Sequence, residues 1–208
     1  HGQRQFNIVF MGMGEPLDNW PAVNSALNSL IAKNGFAISA RRITLSTSGH
    51  RSGLDSVLAT PNLKVGLTLS VCGISEERRR QLMPVASRYS LAELLEQAAE
   101  YTRRIKRRIT LAYILIADVS DQLEEAHALA ALVRERPFKV NLIPLNKLVD
   151  QTWHAPAPEH VLAFQNSLRQ AGVEAYIRQS GGQDIAAACG QLRNRKRKKP
   201  GKRSGDVS

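Results

Sequence analysis

Cys189 is one of two cysteines among 208 residues, and it stands in the run QDIAAACGQL, 183–192. A thiol there has two uses: a small hydrophobe in a core, or, as a thiolate, a soft nucleophile. Its small neighbours, Ala186 to Ala188 and Gly190, would let a flat group stack close to the sulfur. Four other runs carry residues that suit a ligand. MGMGEP (11–16) has two glycines, Gly12 and Gly14, that permit close backbone approach. Glu15 then offers a carboxylate suited to a substrate ammonium, and Pro16 holds it extended. STSG (46–49) presents small hydroxyls that could bind a carboxylate or ribose, or simply cap the following helix. SVCG (70–73) leaves room for a flat ligand, although Cys72 within it reads first as core or pocket lining. NLIPLN (141–146) ends in Asn146, both donor and acceptor, as adenine recognition or a tight turn would need.

The elements that position these runs follow from periodicity. FNIVFMGM (6–13) is nearly continuous apolar, which predicts a strand buried on both faces. Asn19 and Pro21 open a helical pattern with Val23, Leu27, Leu30 and Ile31 on one side, and Asn34-Gly35 close it. RITLST (42–47) predicts a strand with a short helix after it, and KVGLTLSV (64–71) a third strand. Ser90 and Glu93 form a capping-box pattern before Leu94, Leu95, Ala98 and Tyr101. RITLAYILI (108–116) is again strand-like, and Asp121 with Glu124 predicts the cap of a helix running to about Arg134. KVNLIPL (139–145) is a strand, Pro158 opens a helix closed by Gly172, and VEAYIR (173–178) is a last short strand. Such alternation predicts a parallel sheet of β-α units, open or barrel-like. In either, ligands sit at the C-terminal ends of the strands, where the runs above fall.

The totals narrow the class. Hydrophobic residues make up 43% and charged residues 23%, a globular balance. No apolar run approaches the ~20 residues that span a membrane. The start, HGQRQF, lacks the apolar stretch of a signal peptide. Two cysteines do not make a disulfide framework, which points to a reducing cytoplasm. The net charge of +11 favours a polyanionic partner. Residues 193–203 carry eight Lys or Arg, either a solvated disordered tail or an RNA-binding one. Arg103, Arg104, Lys106, Arg107 and Arg108 form a second basic cluster in the body. The chain divides into a folded body, 1–192, and this basic tail, 193–208.

FMGMGEPLDNW, RRITLSTSG, LMP followed by YSLAELL, KVNLIPLN and DIAAACGQL occur in this order. Together they resemble the RlmN/Cfr family of radical S-adenosylmethionine (SAM) adenine methyltransferases. The resemblance runs from about Phe6 to Leu192. It implies an α/β fold, a partial (β/α) barrel of the radical SAM type missing its first β-α unit. It implies methylation of C2 of an adenine in 23S rRNA, and also in tRNA, with SAM and a 4Fe-4S cluster as cofactors. Gly14 and Glu15 would contact the methionine portion of SAM, Ser46 would be a further contact, and Ser70, Val71 and Cys72 would border the same ligand. Asn146 would face the adenosine. Cys189 matches the family's methyl-carrying cysteine, an S-methylcysteine during turnover. RNA and an electron donor for the cluster are the implied partners of a monomer with no membrane association.

The pattern also breaks. The family's cluster is held by a Cys-x₃-Cys-x₂-Cys loop upstream of the GMGEP strand, and Cys72 and Cys189 cannot supply three thiolates. His1 at the start leads to the expectation of a truncated part of a longer enzyme, the alternative being a genuine short protein. Within the matched region, Cys72 replaces the family's His and Ala112 its Glu. Gly181-Gly182-Gln183-Asp184 replaces Arg-Gly-Asp-Asp. The rival readings are a catalytically inactive RNA-binding protein derived from this family, a methyltransferase acting on C8 as Cfr does, and another β/α enzyme with a phosphate-bearing substrate.

Overall fold

The computed structural model describes residues 6–11, 14–83, 89–146 and 153–178. Cys189 and the basic tail, 193–208, lie outside them. Six strands form one parallel sheet in sequence order: β1 (Ile8–Phe10), β2 (Ile43–Thr47), β3 (Gly66–Val71), β4 (Ile109–Leu115), β5 (Phe138–Pro144) and β6 (Ala175–Ile177). The connections carry α1 (Trp20–Ile31), α2 (Arg51–Ala59), α3 (Glu76–Leu82), α4 (Leu91–Ile105), α5 (Leu123–Val133) and α6 (Pro158–Gln170). Among the described residues no helix is long and apolar enough to cross a membrane.

The two faces of the sheet differ because side chains alternate along each strand. Leu45, Leu69, Leu111, Tyr113, Val140 and Leu142 are buried in the core that the helices share. The Tyr113 ring stacks on Phe164 of α6 at 5.4 Å. The opposite face is short and polar. Register sets Ser46 beside Thr68 and Thr68 beside Thr110, and one pleat further along Ser70 beside Ala112 and Ala112 beside Asn141. The sheet curls around this polar face. Arg178, just past β6, brings Nη1 to 3.5 Å from Sδ of Met11, just past β1. The outermost strands thus approach each other, and the architecture is the expected partial barrel.

Two local expectations need correction, and one helix was not expected. The first strand covers Ile8–Phe10 rather than 6–13, because Gly14 turns the backbone with φ +115° before a 3-10 turn at Pro16–Asn19. Helix α5 is capped from Gln122, with no side-chain bond; Asp121 is instead buried, accepting from Gln122 Nε2 at 3.0 Å and lying 3.3 Å from His160 Nδ1. Helix α3 had no expectation; Ser75 caps it by accepting from Arg78 N at 3.2 Å. Elsewhere the local chemistry holds. Ser90 and Glu93 form the full capping box of α4, and Gly172, at φ +81°, follows the end of α6. Helix α1 ends at Ile31, and Gly35 allows the following turn to fold back, since a Cβ there would meet Ser29 O at 2.3 Å.

Candidate cofactor and substrate site

The C-terminal ends of β1, β2 and β3 open onto a cavity of about 420 Å³. Its lining includes Phe10, Gly14, Glu15, Asp18, Ser46 and Ser70. Glu15 is fixed by both neighbouring loops. Its Oε1 accepts from Leu17 N at 3.1 Å, capping the 3-10 turn. Its Oε2 accepts from Ser48 N and Ser48 Oγ, each at 2.8 Å. A carboxylate has about four lone-pair sites, so these three bonds leave one for a ligand together with the negative charge. Gly14 has open space where a Cβ would stand. Across β2, Gly49 at φ +95° packs so tightly that a Cβ would fall 2.7 Å from Leu94 Cδ1. His50 then caps α2, its Nδ1 accepting from Gly53 N at 3.2 Å, with Nε2 3.9 Å from Asp18.

Of the residues singled out in the sequence, Gly14, Glu15, Ser46 and Ser70 come together here. Val71 and Cys72 are 3% and 2% exposed and turn away into the packed structure. Asn146 stands beyond the end of β5, two strands removed from β3, and is not in the lining. Cys189 lies outside the described residues. Asp18 and Ser48 are lining residues that the sequence reading passed over, although Ser48 sits in the STSG run that it quoted.

Burial pushes the Cys72 thiol up to about 12; its contact with Ser120 lowers it and, less strongly, the nearby Glu125 charge raises it. Its sulfur faces Ile114 O at 3.8 Å. Cys72 is therefore a protonated thiol at neutral pH rather than a nucleophile or metal ligand. Behind it, Glu125 ties the loop after β3 to the sheet. Its Oε2 accepts from Ile74 N at 2.9 Å and from Tyr113 OH at 2.8 Å, and its Oε1 from Arg78 Nη1 at 2.8 Å. Burial, and secondarily the Glu125 charge, push the Tyr113 hydroxyl far above the usual tyrosine range. The sequence signal for Glu125 was a carboxylate on the apolar stripe of α5, beside Ala126, Leu129 and Val133.

The cavity suits SAM. Its described lining carries two carboxylates, Glu15 and Asp18, and no cation, which favours an ammonium or sulfonium over a phosphate. Its volume falls in the usual range for small-ligand sites, roughly 300–1,000 Å³. A 4Fe-4S cluster does not fit this chain. The sequence holds two cysteines, and among the described residues no three His, Cys, Asp or Glu are grouped to hold a metal.

No family model matches the chain. Curated relatives do. A probable dual-specificity RNA methyltransferase RlmN of Moorella thermoacetica is 45% identical over 192 residues, 92% of this chain and 54% of the relative. A dual-specificity RNA methyltransferase RlmN of an Anaeromyxobacter species is 43% identical over 186 residues, 89% of this chain and 49% of the relative. The chain thus spans about half the length of the curated relatives it matches. The crystal structure of a radical SAM methyltransferase from Sphaerobacter thermophilus superimposes with a TM-score of 0.84 at 39% identity, over 89% of this chain and 54% of that one. A domain of pyruvate-formate lyase-activating enzyme from Bacteroides vulgatus shares the fold alone, with a TM-score of 0.63 at 16% identity, over 84% of this chain and 99% of that one. Over about nine-tenths of its length the chain is thus similar to roughly half of these RlmN proteins and of the radical SAM methyltransferase, whose curled parallel sheet it shares.

Proposed function

We propose that this chain is the part of an RlmN-like enzyme that binds SAM and carries the methyl group to C2 of an adenine in 23S rRNA and in tRNA. The observation that carries this reading is the 45% identity over 192 residues to an RlmN protein. The acidic cavity at the strand ends supports it. Gly14, Glu15, Ser46 and Ser70 hold the methionine end of SAM. Glu15, preset by Leu17 and Ser48, keeps its remaining lone pair for the ammonium. Val71 and Cys72 fix Ser70 from behind, and Asn146 takes the adenosine end. Bound SAM supplies an electrophilic methyl group. Cys189 is the carrier, held as S-methylcysteine, because a thiolate is a soft nucleophile whereas the adenine C2 carbon is not. The adenine must leave its stack to reach it. No step through the iron-sulfur cluster is assigned to these residues.

The test uses protein expressed from its complete gene and supplied with iron, sulfide and SAM. Cys189→Ala should abolish 2-methyladenine in an rRNA fragment read by mass spectrometry. Undiminished product would remove Cys189 from the carrier role, and 8-methyladenine from the unaltered protein would correct the position. A second reading, RNA binding without catalysis, is favoured by the net charge of +11 and the basic run at 193–203. RNA retention with no methylated base in the same assay would select it.

A further inference from the structure

Alternation along β6 turns Ala175 and Ile177 to the core, and so Tyr176 and Arg178 to the polar, concave side. Register fixes the row: Ser70, Ala112, Asn141 and Tyr176 lie side by side across β3 to β6. Arg178 comes two residues after Tyr176. It therefore stands roughly 7 Å nearer the C-terminal edge than the row of Ser70, at about 3.3 Å per residue. Its backbone is held in the ladder, its N–H donating to Leu142 O at 2.9 Å. An exposed guanidinium is thereby set at the mouth of the concave side, where the acidic cavity opens.

The surroundings of that guanidinium set it apart. Arg51, Arg78, Arg79, Arg103 and Arg108 each meet a carboxylate. Among the described residues Arg178 meets none; the one polar contact of its side chain is Nη1 at 3.5 Å from Sδ of Met11. A thioether is a weak acceptor, so the charge and most of the five N–H donors are left over. Met11 lines the cavity and Arg178 does not. The arginine thus stands beside the opening rather than inside it, and it meets the part of a ligand that stays outside. The cavity itself carries Glu15 and Asp18, which repel an approaching polyanion. A base drawn toward the cavity leaves its phosphodiester at the mouth. A planar guanidinium there offsets the repulsion and can take the phosphate with two parallel bonds.

We propose that Arg178 is a substrate contact that holds a phosphate flanking the target adenine at the cavity mouth. The assignment rests on the reading of the chain as an RNA adenine methyltransferase. The test uses protein expressed from its complete gene and a labelled rRNA hairpin that contains the target adenine, titrated by fluorescence anisotropy at several KCl concentrations. Arg178→Gln should weaken binding about tenfold at ~0.15 M salt. It should also lower the slope of log affinity against log salt by about 1, whereas Arg178→Lys keeps most of the slope. One phosphate beside the adenine is then replaced by an uncharged methylphosphonate, on the 5′ side in one RNA and on the 3′ side in another. At one of the two positions the replacement should cost the unaltered protein the same factor and cost Arg178→Gln nothing more. SAM affinity by calorimetry and the melting temperature should not change. Losses that multiply at both positions, or RNA binding by Arg178→Gln equal to that of the unaltered protein, would overturn the assignment and leave the proposed function standing. A loss of SAM affinity in place of RNA affinity would do the same. Failure of the unaltered protein to bind the RNA would overturn both.

Discussion

Glu15 has two tasks at one carboxylate: it joins the loop after β1 to the loop after β2, and it supplies one of the cavity's two negative charges. The two can be separated. Glu15→Ala removes one cap and two bonds from Ser48, and should cost about 2 kcal/mol in urea unfolding while also abolishing SAM binding. Glu15→Gln keeps an acceptor for Leu17 or Ser48 and should recover most of the stability but little of the SAM affinity measured by calorimetry. Equal SAM binding in the Gln variant would show that the charge is not what the ligand reads. Strand periodicity made much of this legible: residues alternate faces, so Ser70 turns to the polar side and Val71 to the core. Lateral distance was not legible. Asn146 follows a strand end just as Ser46 does, but β5 lies three places from β2 in the sheet.

At the scale of elements, the loop between β3 and α3 is held by one carboxylate from α5. Glu125→Ala would strand the Tyr113 hydroxyl and Ile74 N and release Arg78, at a cost of about 3 kcal/mol. Faster amide exchange should appear at 72–78, while α1 and β1 stay protected; uniform loss of protection would refute so local a role. The alternation of strands and helices was readable because polar and apolar residues kept the periods of each. Element boundaries were less so. FNIVFMGM has no internal stop, so its apolar run outlasts the paired strand. Asp121 fits a capping pattern in sequence, yet the chain caps α5 one residue later and spends the Asp121 carboxylate on Gln122 and His160.

For the whole molecule, the buried acids set its alkaline limit. Burial pushes Cys72 from 9.0, and Tyr101 from 10.0, each to about 12, and Tyr113 further still. Unfolding exposes them at their ordinary values. Above pH 9 the unfolded chain therefore binds fewer protons than the folded one, and stability falls with rising pH. Each group contributes up to about 1.4 kcal/mol per pH unit, from its ordinary value up to its raised one. The urea midpoint should drop steeply between pH 9 and 12, and Cys72→Ala should flatten the first part of that drop. A level profile would contradict the buried, protonated state of these groups. The contact of Arg178 with Met11 also has a consequence in time. Its partners are 167 residues apart. At about 5–20 residues per second they leave the ribosome roughly 10–30 s apart. Throughout that interval the concave side of the nascent sheet stands open to water. Because that side is lined by Ser46, Thr68, Ser70 and Thr110 rather than by leucines, the half-made molecule shows its neighbours hydroxyls instead of an adhesive surface.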